Sequence, residues 1–252
     1  MHGCDKKILT AGYSEVCHLD DSFYVDSLDY LLDISPWTQE LSAEQMRKVR
    51  AAIRCRSYVA GAVICRRGDP ADIWLGVCEG IVKLSVSSAS GKHASLATGI
   101  PKGSWLGEGS LLKREIRKYD VVALRHTTIA FMPAETFFWL LDESIPFNQF
   151  LLRQVNERLG QFMGYMENDR LLSPEARVAR GLASMFNPQL YPGSSDELKL
   201  SQEELGCLSG ISRQRVNKAL NVLQEKNIVA IDYGTIRIID FDALLNFGQD
   251  DE

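Results

Sequence analysis

The sequence predicts an α+β fold in which a β-rich part precedes a helical part. Residues 54–132 contain short β-branched runs separated by glycines, and such runs are typical of a small barrel or sandwich. Residues 142–171 have the apolar spacing of one long helix. Residues 198–226 have the pattern of two short helices joined by a tight turn. At 252 residues the chain is long enough for two domains.

The pair of short helices has clear start and stop signals. Ser201 can accept a hydrogen bond from a first-turn amide, and Glu204 can reach back to the amide of Ser201. Gly210 can adopt the positive φ that a sharp turn needs. Ser212 is the predicted N-cap of the second helix, whose buried stripe is Val216, Ala219, Leu220 and Leu223. Two helices arranged in this way predict a helix-turn-helix.

The outer face of the second helix carries basic and amide side chains. Arginine and lysine donate to guanine and to phosphates, while asparagine and glutamine can pair with adenine. The pattern therefore indicates a helix that enters the major groove of double-stranded DNA. An αα-corner with a solvated charged face is the alternative interpretation. The candidate DNA-binding residues are Ser212, Arg213, Gln214, Arg215, Asn217 and Lys218.

The stretch SQEELGCLSGISRQRVNKALNVLQEKNIV resembles the DNA-binding motif of the Crp–Fnr family of bacterial transcription regulators. The β-branched runs 228–231 and 236–239 predict a hairpin where that family has its wing. The segments RRGDPADIWLGVCEGIVKL and GSWLGEGSLL resemble the family's double-stranded β-roll of the cyclic-nucleotide-binding type. The resemblance covers about residues 37–239 and implies a homodimer that binds a palindromic operator and contacts RNA polymerase.

Four segments are predicted along the chain. An N-terminal extension of little order, residues 1–35, is followed by a β-roll sensor domain, residues 36–141, which opens with a helix from Ser35 to Ile53. A dimerisation helix, residues 142–172, leads to a winged helix-turn-helix domain with an acidic tail, residues 173–252, because Pro174 favours a break there. The predicted strands of the roll are 62–65, 73–78, 81–86, 93–98, 121–124 and 128–132.

The long helix carries an apolar series at coiled-coil-like spacing. Ser144 is its predicted cap, with Pro146 in the first turn, where a missing amide costs little. The spacing indicates a dimer seam, and a helix packed on its own β-domain is the alternative. The candidate seam residues are Leu151, Val155, Leu159, Phe162 and Met166.

The resemblance also locates a candidate effector pocket. In the family's cyclic-nucleotide members a Gly-Glu turn and a later Arg-Ser or Arg-Thr pair hold the phosphate and ribose. Tyr119 replaces the hydroxyl residue of that pair, and the base-reading Thr-Ser pair falls at Phe162-Met163, which cannot hydrogen-bond adenine. The sequence therefore does not favour cAMP, and a turn kept without a ligand, another anion or a small apolar ligand remain open. The candidate pocket residues are Gly107, Glu108, Gly109, Ser110, Arg117, Lys118, Tyr119, Phe162 and Met163.

The six cysteines show neither a CxxC pair nor regular spacing, so no disulfide framework or zinc site is indicated. Cys4 and Cys17 are too far apart to match the tight cluster of the family's iron–sulfur sensors. Haem ligation through His93, His126 or a cysteine is not favoured either. A reactive thiol stays open, because reactivity depends on exposure and local charge. The candidates for it are Cys4, Cys17, Cys65 and Cys78.

The charge distribution is compatible with DNA binding, and the sequence contains no motif that predicts an enzyme. The net charge is −5, but residues 240–252 alone carry five acidic and no basic residues, so the helix-turn-helix itself is not acidic. No apolar run is long enough to cross a membrane, and no signal peptide is recognisable, so a cytoplasmic location is expected. No nucleophile motif, metal-ligand spacing or P-loop predicts an enzyme. The competing hypothesis is a ligand-binding module that acts on a protein partner and uses its helix-turn-helix for packing.

Overall fold

A computed structural model of the protein describes residues 16–17, 21–87, 93–95, 99–193, 197–232 and 234–248. The N-terminal part contains two antiparallel sheets. One has the strand order β1-β2-β10-β4-β8, and the other has the order β3-β9-β5-β6 with β7 beside β5. These strands are β1 (Val16–Cys17), β2 (Arg54–Tyr58), β3 (Val63–Cys65), β4 (Ile73–Glu79), β5 (Ile81–Ser87), β6 (His93–Ser95), β7 (Ile100–Pro101), β8 (Trp105–Leu106), β9 (Asp120–Ala123) and β10 (Thr127–Pro133).

Apolar side chains from both sheets form one core inside this β-roll. Leu75 and Ile129 come from the first sheet and Val82 and Val121 from the second, and all four are buried. The six predicted strands are present at nearly the predicted bounds, although residues 96–98 lie outside the described part. Strands β1, β2, β7 and β8 were not predicted, because β2 contains two arginines and the other three have only two residues each.

Residues 21–34 of the predicted N-terminal extension are helical, which corrects the expectation of little order there. They form helix α1 (Asp21–Ile34), and its side chains Leu31 and Leu32 are buried in a second core on the outside of the first sheet. Trp37 follows in a short 3-10 turn and packs on Trp74 and Trp105. The predicted helix from Ser35 to Ile53 is therefore wrong before residue 43, since α2 spans only Ala43–Ala52.

The predicted long helix is divided in two at Ser144. Helix α3 (Glu108–Leu112) lies between β8 and β9, α4 (Ala134–Glu143) follows β10, and α5 (Ile145–Leu171) is the long helix. The amide of Ser144 donates to Leu140 O at 2.9 Å, and its Oγ accepts from the amide of Phe147 at 3.3 Å. One residue thus ends α4 and caps α5, so the predicted cap is confirmed and the helix begins three residues later than expected.

The C-terminal part is a winged helix-turn-helix. It consists of α6 (Pro174–Ser184), β11 (Glu197–Lys199), α7 (Gln202–Ser209), α8 (Arg213–Glu225), β12 (Val229–Asp232), β13 (Thr235–Ile238) and α9 (Phe241–Asn246). The three strands form a sheet with the order β11-β13-β12. Ser173 caps α6 by accepting from the amide of Ala176 at 3.2 Å. The acidic tail begins as a short helix, because Leu244 of α9 is buried in the domain core.

The two parts pack on each other within one chain. Ile81 of β5 belongs to the same apolar cluster as the α7 and α8 side chains, and Leu124 packs against it. Within the described ranges, no helix combines the length and the apolar character that a membrane span requires.

Candidate nucleic-acid interface and effector pocket

The helix-turn-helix has the local structure that its sequence predicts. Ser201 Oγ accepts from the amide of Glu204 at 3.2 Å, and the amide of Ser201 donates to Glu204 Oε2 at 2.8 Å, so the capping box is complete. Helix α7 ends at Gly210, whose φ is +64° and whose amide donates to Gly206 O. A left-handed residue at this point turns the chain sharply into α8. Ser212 is the N-cap of α8 with extended backbone, but its side chain makes no capping bond there.

Helix α8 divides into a buried stripe and an exposed face. Val216, Ala219, Leu220 and Leu223 are each no more than 1% exposed. The six candidate DNA-binding side chains are all exposed, namely Ser212, Arg213, Gln214, Arg215, Asn217 and Lys218. A helix of this kind is held firmly on one side and offers hydrogen-bond donors and acceptors on the other, as a reader of base edges requires.

Two members of the exposed face have partners within the protein. Gln202 Nε2 of α7 donates to Asn217 Oδ1 at 3.1 Å, and Lys218 Nζ lies 3.3 Å from Glu175 Oε1 of α6. The pKa of Glu175 is lowered, first by its own backbone amide and then, against the effect of burial, by Lys218. Glu175 therefore stays ionised beside the candidate interface. Sequence reasoning missed this pair because α6 and α8 are far apart in the chain.

The candidate effector pocket is built around the start of α3. Gly107 caps this helix with a φ of +94°, and a Cβ at this position would lie 3.1 Å from Arg117 Nη1. Arg117 is buried at 3% exposure and donates through Nη2 to Ile73 O at 2.8 Å. Glycine at position 107 thus satisfies both the left-handed backbone and the close approach of the guanidinium group.

A buried ion pair closes the pocket from the side of α5. Arg158 Nε donates to Glu108 Oε1 at 2.6 Å, and Arg158 also donates to Trp105 O. Glu108 is 2% exposed, and its Oε2 has no hydrogen-bond partner among the described groups. The pKa of Tyr119 is raised, first by burial and then by the nearby Glu108 carboxylate, so its hydroxyl stays protonated. Tyr119 thus lies near two guanidinium groups, those of Arg117 and Arg158, and Glu108 is the carboxylate paired with Arg158.

Comparison with known proteins identifies both parts of the chain. Residues 55–144 match the family model of the cyclic nucleotide-binding domain, and residues 176–247 match that of the Crp-like helix-turn-helix domain. The cyclic AMP receptor protein of Thermus thermophilus is 28% identical over 206 residues, which cover 81% of this chain and 92% of the relative. The chain belongs to the Crp–Fnr family.

Solved structures of two regulators share the fold. FixK2 from Bradyrhizobium japonicum superposes with a TM-score of 0.62 at 18% identity, over 77% of this chain and 96% of that one. The c-di-GMP responsive regulator CLP of Xanthomonas campestris gives a TM-score of 0.54 at 22% identity, over 78% and 99%. As a Crp–Fnr protein with the helix-turn-helix described above, the chain is a DNA-binding transcription regulator.

Three residues expected in the effector pocket of this Crp–Fnr protein lie elsewhere. Lys118 is exposed and pairs with Glu115 at 2.9 Å, so of these two neighbouring basic residues Arg117 is the buried one. Phe162 and Met163 are 50% and 63% exposed. The α5 side chains on the inner face include Gln154 and Arg158, which bond to Trp105 and Glu108 of the roll, and Gln161, which bonds to Ser184 of α6. The inward face of α5 therefore includes Gln161, one residue before the expected Phe162.

The candidate dimer seam of the long helix needs one correction. Leu151 is 3% exposed and belongs to the core of its own chain, so it is not available to a partner. Its neighbour Leu152 is 73% exposed. In the described part of α5 after its first residue, Ile145, the exposed apolar side chains are Leu152, Val155, Leu159, Phe162 and Met163, at 42% to 73%. Of Met166 the structure describes the backbone alone.

Two of the candidate reactive thiols have raised pKa values. Burial raises the pKa of Cys65 to about 11. The pKa of Cys78 is raised well above its ordinary value, first by its contact with Cys55, 4.0 Å away, and then by burial. Both groups are therefore protonated at neutral pH, and a thiol rather than a thiolate is a poor nucleophile. Cys4 lies outside the described residues.

Proposed function

We propose that the protein is a homodimeric, sequence-specific transcription regulator that reads a two-fold symmetric operator through α8. The observation that carries this proposal is the exposed face of α8, where basic and amide side chains stand above a fully buried apolar stripe. In a helix-turn-helix with its turn at Gly210, the outer face of the second helix is the one that lies against the major groove.

The exposed face of α5 supports the homodimer. Leu152, Val155, Leu159 and Phe162 are spaced by three, four and three residues, and Met166 follows four later. This alternation is that of a two-stranded coiled-coil seam, and large side chains exposed at such positions favour a partner helix. Two-fold symmetry would then bring two copies of α8 to successive major grooves, about 34 Å apart.

The composition of the effector pocket supports an effector other than cAMP. Arg117 offers a guanidinium group where a phosphate could bind, but Tyr119 replaces the hydroxyl partner and is half-buried. The cyclic AMP receptor protein of Thermus thermophilus and the c-di-GMP responsive regulator CLP are named for different cyclic nucleotides, which supports an effector that differs between proteins of this fold. RNA polymerase is the further partner that the resemblance to the Crp–Fnr family implies.

Genomic footprinting of the tagged protein tests the function directly. It should yield a palindromic site upstream of a defined gene set, without cAMP in the medium. A variant with Arg213→Ala and Gln214→Ala is the matched control, because both side chains are exposed and their loss leaves the fold intact. Identical footprints of wild type and control would contradict reading by α8, and the absence of any footprint would contradict DNA binding.

A further inference from the structure

The loop between α6 and β11 enters the interior of the β-roll. Leu190 and Tyr191 are each 1% exposed and belong to the same apolar cluster as Ile100, Leu106 and Val82 of the roll. These two residues lie more than 80 positions after the roll strands that they contact, in the DNA-binding part of the chain. The winged helix-turn-helix thus contributes two side chains to the core of the sensor domain.

The loop has a built local structure. Asn187 Oδ1 accepts from the amides of Gln189 and Leu190, both at 2.9 Å, and the amide of Tyr191 donates to Asn187 O at 2.8 Å. Asn187 Nδ2 also donates to Glu157 Oε2 of α5 at 3.0 Å. These bonds form a compact turn and fasten it to the long helix, so the apolar pair enters the roll in a fixed conformation.

Tyr191 reaches the candidate effector pocket. Its hydroxyl donates to Gln161 Oε1 at 3.3 Å, and Gln161 Nε2 donates to Ser184 O of α6 at 3.1 Å. Tyr191 and Tyr119 both lie close enough to Arg158 to affect it electrostatically, and Arg158 is paired with Glu108. The phenol ring of Tyr191 therefore lies beside the ion pair of Arg158 and Glu108, in the pocket that would receive an effector.

We propose that Leu190 and Tyr191 are an internal ligand of the β-roll, which an effector made of a flat apolar ring and an anionic group must displace. The ring of such an effector would replace the phenol of Tyr191, and its anion would meet Arg117. Displacement would break the bonds of Gln161 and Asn187 and would loosen α6 on the long helix. This inference rests on the proposed function, because it gives the regulation of the same pocket and of the same DNA-binding domain.

The test uses the full-length protein and anilinonaphthalene sulfonate, a flat aromatic anion that fluoresces in apolar surroundings. Tyr191→Ala should bind one probe molecule per protomer at least tenfold more tightly than the wild type. Tyr191→Phe, which keeps the ring, should behave like the wild type. Asn187→Ala should strengthen probe binding as well, since it releases the turn without changing the ring. Thermal unfolding of each variant is the control, because a variant with a loosened core would also bind the dye. A single cooperative transition shows that the core is intact and that the dye enters an opened pocket.

Two results would overturn the inference. One is equal probe binding by the wild type and by Tyr191→Ala, and the other is no binding by either Tyr191→Ala or Asn187→Ala. Operator affinity, measured in parallel, keeps the two proposals apart. If no variant binds DNA while Tyr191→Ala binds the probe, the proposed function fails and the internal ligand stands.

Discussion

Arg125 and Glu204 join the β-roll to the helix-turn-helix through a bidentate ion pair. Arg125 Nε and Nη2 each donate to a different oxygen of Glu204 at 2.7 Å, and Nη2 also donates to Lys199 O at 2.7 Å. The side chains are 33% and 15% exposed. Glu204 is also the acid of the capping box of α7, so one carboxylate holds the helix start and fastens it to the roll.

This pair should couple the stability of the two domains. A double-mutant cycle of Arg125→Ala and Glu204→Gln should give an interaction free energy on the order of 1–2 kcal/mol in urea unfolding. Glutamine is the suitable replacement because it still completes a capping box. Additive losses in the double variant would show that the two side chains do not stabilise each other.

The same carboxylate predicts a pH dependence. Burial by itself raises the pKa of Glu204, but hydrogen bonds from Arg125 and Ser201 outweigh it and lower the pKa below its ordinary value of 4.5. The unfolded chain therefore takes up the proton first, so the stabilisation is present above the ordinary value and disappears as the pH falls through the folded value.

The test compares the free energy of unfolding of the wild type with that of Glu204→Gln, at neutral pH and between about pH 3 and 5. The wild type should be the more stable at neutral pH, and the difference should shrink as the medium becomes acidic. A difference that stays constant down to the lowest pH would mean that Glu204 carries no charge-dependent stabilisation.

The helix-turn-helix could be predicted from the sequence almost to the residue. Its signals are local: the capping pair Ser201 and Glu204, the turn at Gly210 and the apolar stripe of α8 all act within a few positions. The main strands of the roll were predictable for the same reason, since β-branched runs and glycines alternate along the chain.

The errors arose where burial is decided by distant parts of the chain. Helix α5 has two apolar faces, and Leu151 belongs to the inner one together with the polar Gln154 and Arg158. These polar side chains are satisfied by Trp105 O and Glu108, and such partners cannot be found by spacing along a helix. Tyr191 escaped prediction likewise, because nothing in the sequence near it indicates that the roll receives it.

The exposed face of α5 predicts how the protein assembles. Leu159→Glu should place a charge in the seam, where it would be buried without a partner, and should shift the protein toward monomer at micromolar concentration. Arg153→Glu is the matched control, since Arg153 is exposed on the same helix but off the seam. Sedimentation that finds Leu159→Glu as dimeric as the control would contradict the seam.

Glu175 should restrain DNA binding through Lys218. Glu175→Gln removes a negative charge beside α8 and frees the ammonium group for a phosphate, so affinity for nonspecific DNA should rise and its salt dependence should steepen by about one phosphate contact. Glu143→Gln, at the end of α4, makes the same charge change in the roll and is the control. If the two variants bound nonspecific DNA with the same affinity and the same salt dependence, this would show that Lys218 does not contact DNA.

Arg213 should read a guanine and Arg215 a phosphate. Arg213→Ala should cost about 1–3 kcal/mol of binding free energy and should remove the preference at one position of each half-site. Arg215→Ala should weaken binding to all sequences alike and should flatten the salt dependence. Fluorescence anisotropy with the selected operator and its single-base variants distinguishes the two losses. Parallel losses across all sequences in both variants would contradict base reading by Arg213.

Gln214 should set the base pair next to that guanine. Many Crp–Fnr members carry glutamate where this chain has Gln214, and a glutamate accepts from the amino group of cytosine, whereas glutamine can pair with adenine or adapt to more than one base. Randomised-site selection with wild type and Gln214→Glu should therefore give half-sites that differ at one pair, with the glutamate variant selecting cytosine there. If both proteins select the same half-site, Gln214 does not reach a base edge. The recognition face of α8 would then be rotated by part of a turn toward Asn217 and Lys218, since both are exposed on the same helix.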